Sequence, residues 1–238
     1  MNKLIEINPI YDKISPIEEL KIKNKNPDLF NDGSLIAYYN FDLLLNDYYN
    51  EYNLSLLEGT PTYDVGIKDF CESSSRIVLG TPINKYLIPN YNYTVSFWIK
   101  ANSHMIVENW PGILVQGTEN GYGCQIGLAS NTNELCVSKA HASEVRLGIS
   151  LSETQWQHVI ISSDGNNGAK SYLNGVFIKD LGVLHSNTDS HNNTGRTQIK
   201  SYYNNYYKHQ SHLDAQLDDL KIFNRSITEE EAYSLYIS

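Results

Sequence analysis

The chain has 238 residues, 27 of them acidic against 18 basic, a formal net charge of −9 and 41% hydrophobic positions. It shows no basic stripe, which argues against binding nucleic acid through phosphate neutralisation. Nor does it hold an apolar run long enough to span a membrane, so no membrane insertion is expected.

Residues 1–32 hold few aromatics and mix Lys, Glu, Asn and Pro, with Pro9, Pro16 and Pro27 interrupting any long element. They read as an N-terminal arm or leader: an extended segment packed along the fold or partly disordered, or an anchor to a larger assembly. The first residues lack the apolar stretch and small-residue cleavage site of a secretory signal. The expected location is therefore cytoplasmic, virion-associated or reached by another export route.

From residue 33 onward, strand-like segments recur between Asn- and Ser-rich turns. They are expected at Leu35 to Phe41, Arg76 to Leu79, Thr94 to Lys100, Gly112 to Gln116, Gly123 to Leu128, Glu134 to Lys139, Val145 to Ile149, Trp156 to Ser162, Ala169 to Leu173 and Leu217 to Phe223. Such spacing, with almost no helical periodicity, predicts an all-β sandwich or barrel built as one domain over 33–238. Phe97, Ile99, Ile113, Val115, Ile126, Leu128, Trp156, Val159, Ile161, Leu173, Leu220 and Ile222 are the expected core, with Trp98 beside them. Thr228 followed by Glu229, Glu230 and Glu231 marks one short C-terminal helix, with a capping hydroxyl and acids at the positive end of the dipole. Ala232, Leu235 and Tyr236 then recur at helical spacing.

Five segments, in this order, carry a family resemblance: Gly33-Ser-Leu-Ile-Ala-Tyr-Tyr-Asn-Phe-Asp42, Tyr93-Thr-Val-Ser-Phe-Trp-Ile-Lys100, Gln155-Trp-Gln-His-Val-Ile-Ile-Ser162, Lys170-Ser-Tyr-Leu-Asn-Gly-Val-Phe177, and the final strand and helix from Gln216 to Tyr236. Together they resemble the laminin-G-like branch of the concanavalin A-like lectin/glucanase superfamily, over about residues 33–238. The resemblance implies a two-sheet antiparallel jelly roll and does not by itself imply an activity. In related domains a metal often ties the first and last strands together, and calcium is the expected ion. The matching positions here are Asp42 and Asp218, with a stapling rather than catalytic role. Asp218 and Asp219 also draw attention on their own, because two carboxylates on a strand entering a core are costly without partners. The plain alternative is that Asp42 ends a strand in a turn and Asp218 accepts backbone hydrogen bonds.

Catalysis is not expected. The glucanase relatives place two glutamates and an aspartate on one strand as Glu-x-Asp-x-x-Glu, and no such motif occurs. The seven histidines are scattered and read as ordinary solvated residues, with His209 and His212 in a loop. Three cysteines leave at least one unpaired. A turn at Asn131-Thr132 would set Gly127 opposite Cys136 and Cys124 opposite Lys139, so Cys124 and Cys136 should not bond.

Ligand recognition is the stronger expectation. Sugar rings stack on aromatic faces while their hydroxyls need amide or carboxylate partners. Tyr202, Tyr203, Asn204, Asn205, Tyr206 and Tyr207 form a loop with both, and Trp110 in Glu108-Asn-Trp-Pro-Gly112 is a second candidate. The tyrosines could equally pair across a sheet. Two functional classes follow: a non-catalytic recognition module for a glycan or cell-surface partner, or an assembly protein such as a capsid or tail decoration docked by residues 1–32. A glycoside hydrolase ranks below both.

Overall fold

The computed structural model describes residues 28–41, 48–49, 54–58, 76–79, 92–102, 111–117, 123–129, 132–138, 144–184, 197–199, 201–204, 209–213 and 215–238. For 54–58, 76–79, 116–117, 123–124, 138, 166, 197–199, 201–204 and 209–212 it describes the backbone alone.

Among these residues the strands are β1 (Leu35–Tyr39), β2 (Leu54–Glu58), β3 (Arg76–Leu79), β4 (Asn92–Ala101), β5 (Gly112–Gly117), β6 (Gly123–Leu128), β7 (Glu134–Ser138), β8 (Glu144–Ser150), β9 (Gln157–Asp164), β10 (Ala169–Leu173), β11 (Val176–Gly182), β12 (Thr197–Ile199), β13 (Ser201–Asn204), β14 (His209–His212) and β15 (Ala215–Phe223). One helix, α1 (Glu229–Ile237), closes the chain. A six-stranded sheet runs β1-β15-β4-β9-β10-β11, a seven-stranded sheet runs β2-β3-β12-β5-β6-β7-β8, and β13 and β14 form a separate ribbon. The fold is a two-sheet antiparallel sandwich with one C-terminal helix, as the strand spacing predicts.

Alternation along β4 builds the interior. Tyr93, Val95, Phe97, Ile99 and Ala101 join the main core, where Val159 and Ile161 of β9 and Leu217, Leu220 and Ile222 of β15 meet them. Ile113, Ile126, Leu128 and Val137 supply the facing sheet. Leu217 and Leu220 are three residues apart yet both point inward, which strict two-residue alternation forbids. The β15–β4 register resolves this: Asp218 pairs with Trp98 but Lys221 pairs with Ser96, so β15 carries one extra residue in a bulge.

The outer face of the six-stranded sheet is also covered. Ile160, Tyr172 and Phe223 pack there with Ala232 and Leu235 of α1, and with Phe30 from the segment before β1. That cover changes two sequence expectations. His158 is buried rather than solvated, with its Nε2 2.8 Å from Ser96 Oγ. Trp98 lies half-buried on this outer face between His158 and Tyr236, with ring centroids 5.0 and 5.6 Å away. Trp156 is not a core residue either: it sits half-buried just before β9, whose positions in the main core are Val159 and Ile161. Leu173 packs against the main core only partly buried.

The helix start follows its sequence. Thr228 accepts a hydrogen bond from the Glu231 N–H at 3.2 Å while the Glu231 carboxylate accepts from the Thr228 N–H at 2.9 Å, a reciprocal capping box. Glu231 also receives two bonds from Arg225, at 2.8 and 2.7 Å, and Arg225 reaches Asp32 at 2.8 Å. Thr228→Ala should cost about 0.5–2 kcal/mol, measured by denaturant unfolding. The Arg225 bonds hold the Glu231 carboxyl below its ordinary range. A carboxyl lowered in the folded state stabilises above its unfolded pKa and loses that contribution as pH falls. Stability should therefore drop below about pH 4.5, and Glu231→Gln should flatten that acid limb in a melting-temperature series.

Candidate functional site

Strand register brings several loops to one end of the sandwich. Ala215, where β15 begins, pairs with Ala101, where β4 ends. On the other sheet, β12 runs antiparallel to β5, with Thr197 opposite Gln116 and Ile199 opposite Leu114. Each step beyond Ile199 therefore leads toward Gly112, the start of β5. The connection from β4 to β5 (102–111) and the chain from β12 to β15 (200–214) thus cross between the sheets at the same end.

Two more segments reach that end. Gln157, the first residue of β9, lies opposite Ile99, and the Ala101 N–H donates to the Ser152 carbonyl at 3.0 Å. Leu151 N–H donates to Asn133 O at 2.9 Å, and Leu128 N–H to Pro111 O at 3.0 Å. The Gln157 side chain locks the β8–β9 connection, accepting from Ser152 N–H at 2.7 Å and donating to Ser150 O at 3.1 Å. The end is thus a hydrogen-bonded rim in which Ala101, Pro111, Leu128, Asn133, Leu151 and Ser152 take part.

The sequence candidates fall as follows. Tyr202, Tyr203 and Asn204 lie on β13, opposite Ser211, Gln210 and His209 of β14. The tyrosines of β13 thus belong to a two-stranded ribbon, not to either large sheet, and their partners are polar. His209 and His212 bound β14 rather than a loop. Asn205, Tyr206 and Tyr207 lie outside the described residues, as does Trp110, which immediately precedes Pro111 in the crossing connection.

Asp218 is buried at 7% exposure, and its Oδ1 accepts the Asp219 N–H at 2.8 Å. That bond holds the bulge at which Asp219 adopts φ 48°. Asp42 lies outside the described residues, and among the described residues no group of three or more His, Cys, Asp or Glu could hold a metal ion. Asp218 thus accepts a backbone hydrogen bond; a calcium role is a matter for proposal.

Cys136 stands opposite Gly127, as the turn register predicts. It is a buried free thiol, pushed up to about 12 by burial and by the nearby Glu144 carboxylate. It is an unreactive core residue at neutral pH.

These features define a two-sheet antiparallel jelly-roll sandwich with a C-terminal helix. The chain belongs to the Concanavalin A-like lectin/glucanases superfamily, whose sequence model matches residues 75–232. No curated protein sequence matches the chain. Among solved structures it is similar to the binding domain of botulinum neurotoxin DC in complex with rat synaptotagmin II, with TM-score 0.65 and 18% identity, over 86% of this chain and 51% of that one. The botulinum neurotoxin type C structure, whose cell entry depends on two ganglioside molecules, gives TM-score 0.62 at 19% identity over 86% and 51%. The chain thus spans about half the length of these toxin chains. Domain 4 of AbnA, a GH43 extracellular arabinanase from Geobacillus stearothermophilus, in complex with arabinotriose, gives TM-score 0.59 at 20% identity over 85% of this chain and 98% of that one.

Proposed function

We propose that this chain is a non-catalytic recognition module that binds a glycan or cell-surface partner through the loop end of its sandwich. The observation that carries the reading is the pair of registers that end β4 and β12 and start β5 and β15 on one side, the strand ends that bracket Trp110 and the Tyr/Asn stretch in sequence. Tyrosine and tryptophan rings stack on sugar C–H faces, and asparagine amides match hydroxyls. The likeness to toxin binding domains and to an arabinotriose-bound domain of an arabinanase supports recognition. A structural calcium between Asp42 and Asp218 belongs to the same proposal, acting as a staple rather than as part of the ligand site.

The test is a broad glycan-array screen of the intact protein, run with calcium and again with a chelator. Specific binding that falls at least tenfold in Tyr203→Ala or Tyr206→Ala is expected. A lower melting temperature in chelator, abolished by Asp218→Asn, would support the calcium staple; no shift would remove it. Folded protein that binds no glycan in either condition would overturn the glycan reading and turn attention to assembly through residues 1–32.

A further inference from the structure

The bulge in β15 does more than restore the core alternation. Asp219 is a non-glycine residue at φ 48°, and left-handed residues in bulges often re-aim a side chain toward a functional surface. Here the bulge turns the Asp219 carboxylate outward, where its Oδ1 accepts the Tyr38 hydroxyl at 2.8 Å. The Lys221 ammonium sits over the Tyr38 ring, 5.2 Å from its centroid. Tyr38 continues into a row of rings: Tyr48 lies 6.2 Å from it, and Tyr49 stands 5.3 Å from Tyr48 at 90°. A main-chain bond from Tyr48 N–H to Tyr38 O at 2.9 Å anchors this row to β1. The two outer rings remain 45% and 40% exposed.

We infer that the juxtaposed Tyr48, Tyr49 and Asp219, beside the edge strand β1 of the six-stranded sheet, form a second binding site for a neutral oligosaccharide, built from residues other than those of the loop end. Two exposed rings at right angles make a corner with a flat face for a sugar's C–H surface and an edge beside it. A carboxylate has several acceptor positions, so Asp219 can take ligand hydroxyls as well as the Tyr38 proton. Charge selects the ligand class. The Asp219 carboxylate opposes an anionic sugar, and the Lys221 ammonium that could attract one is buried against the Tyr38 ring. A neutral polyol meets no such opposition.

This site stands on its own residues but shares its ligand chemistry with the proposed function, so the experiment separates the two. Saturation-transfer NMR and calorimetry would use maltotetraose, xylotetraose, arabinotriose and lactose as neutral probes, with sialyllactose as the charged comparison. At least one neutral probe is expected to bind, with affinity falling tenfold or more in Y48A/Y49A and severalfold in Asp219→Asn. Asparagine accepts the left-handed backbone and keeps the Tyr38 bond, so Asp219→Asn tests the charge without disturbing the fold. Sialyllactose is expected to bind at least tenfold more weakly than lactose. Binding that survives Y48A/Y49A but is lost in Tyr203→Ala overturns this inference and leaves the loop-end reading standing; the reverse pattern does the opposite. Failure of every neutral probe at millimolar concentration, or equal binding of sialyllactose and lactose, also overturns it.

Discussion

Phe97→Ala should cost about 3–5 kcal/mol, the range for emptying a large aromatic site in a core. Phe97 is fully buried at the centre of β4, with Val159 as its partner on β9, and β4 itself is flanked by β15 and β9. Few side chains remain that could collapse into the space, because β9 holds its register with β4 from Asn92 to Ile99. A domain of this size typically has about 5–15 kcal/mol in total. The expected loss therefore removes a large part of the reserve and lowers the melting temperature by roughly 6–20 °C. Urea unfolding followed by circular dichroism measures it. A loss below about 1 kcal/mol would show that β4 is not the organising strand of the core.

Gly127→Ala should disturb both stability and the loop end. A Cβ at Gly127 would stand 2.5 Å from Pro111 O and 3.2 Å from Gly112 Cα. Both are backbone atoms, so no flexible side chain can swing aside. Pro111 O is also the acceptor for Leu128 N–H. Relieving the clash must part β6 from β5 where the Trp110 connection enters the sheet. We expect about 1–3 kcal/mol of destabilisation, faster hydrogen exchange at the Leu128 amide, and weakened glycan binding even at temperatures where the variant is folded. Unchanged exchange at Leu128 would mean that the clash is absorbed elsewhere.

The elements legible in the sequence are those whose pattern is local. β3, β6 and β10 have the bounds that alternation predicts, and the capping box of α1 follows from Thr228 and Glu231. The Asn174-Gly175 turn was equally legible, because both residues adopt positive φ, and Gly175 further admits the Tyr233 backbone at 3.0 Å from its would-be Cβ. Of the strands that escaped notice, β2 and β12 to β14 are five residues or fewer, the apolar stretch of β11 is mostly exposed and shows no alternation, and β12 exists through pairing with Val78 and Val115, far away in sequence.

Trp98 and His158 escaped correct placement because the face they occupy is covered by α1, which begins about seventy residues after His158. The break in alternation at Asp218-Asp219 was visible; that it is a bulge aiming Asp219 at Tyr38 needed the pairing with β4. For the loop end, the residue types could be read from the chain. Which strand ends meet there could not, because that depends on two long-range registers, β12 on β5 and β15 on β4.

The central claim is most directly tested by amide NMR of the isotope-labelled protein titrated with a glycan selected on the array. The account predicts progressive shifts at Ala101, Gly112, Asn133, Ser152 and Ala215, which rim the loop end, with those shifts lost in Tyr203→Ala. Saturable binding that leaves these five amides unmoved would contradict it.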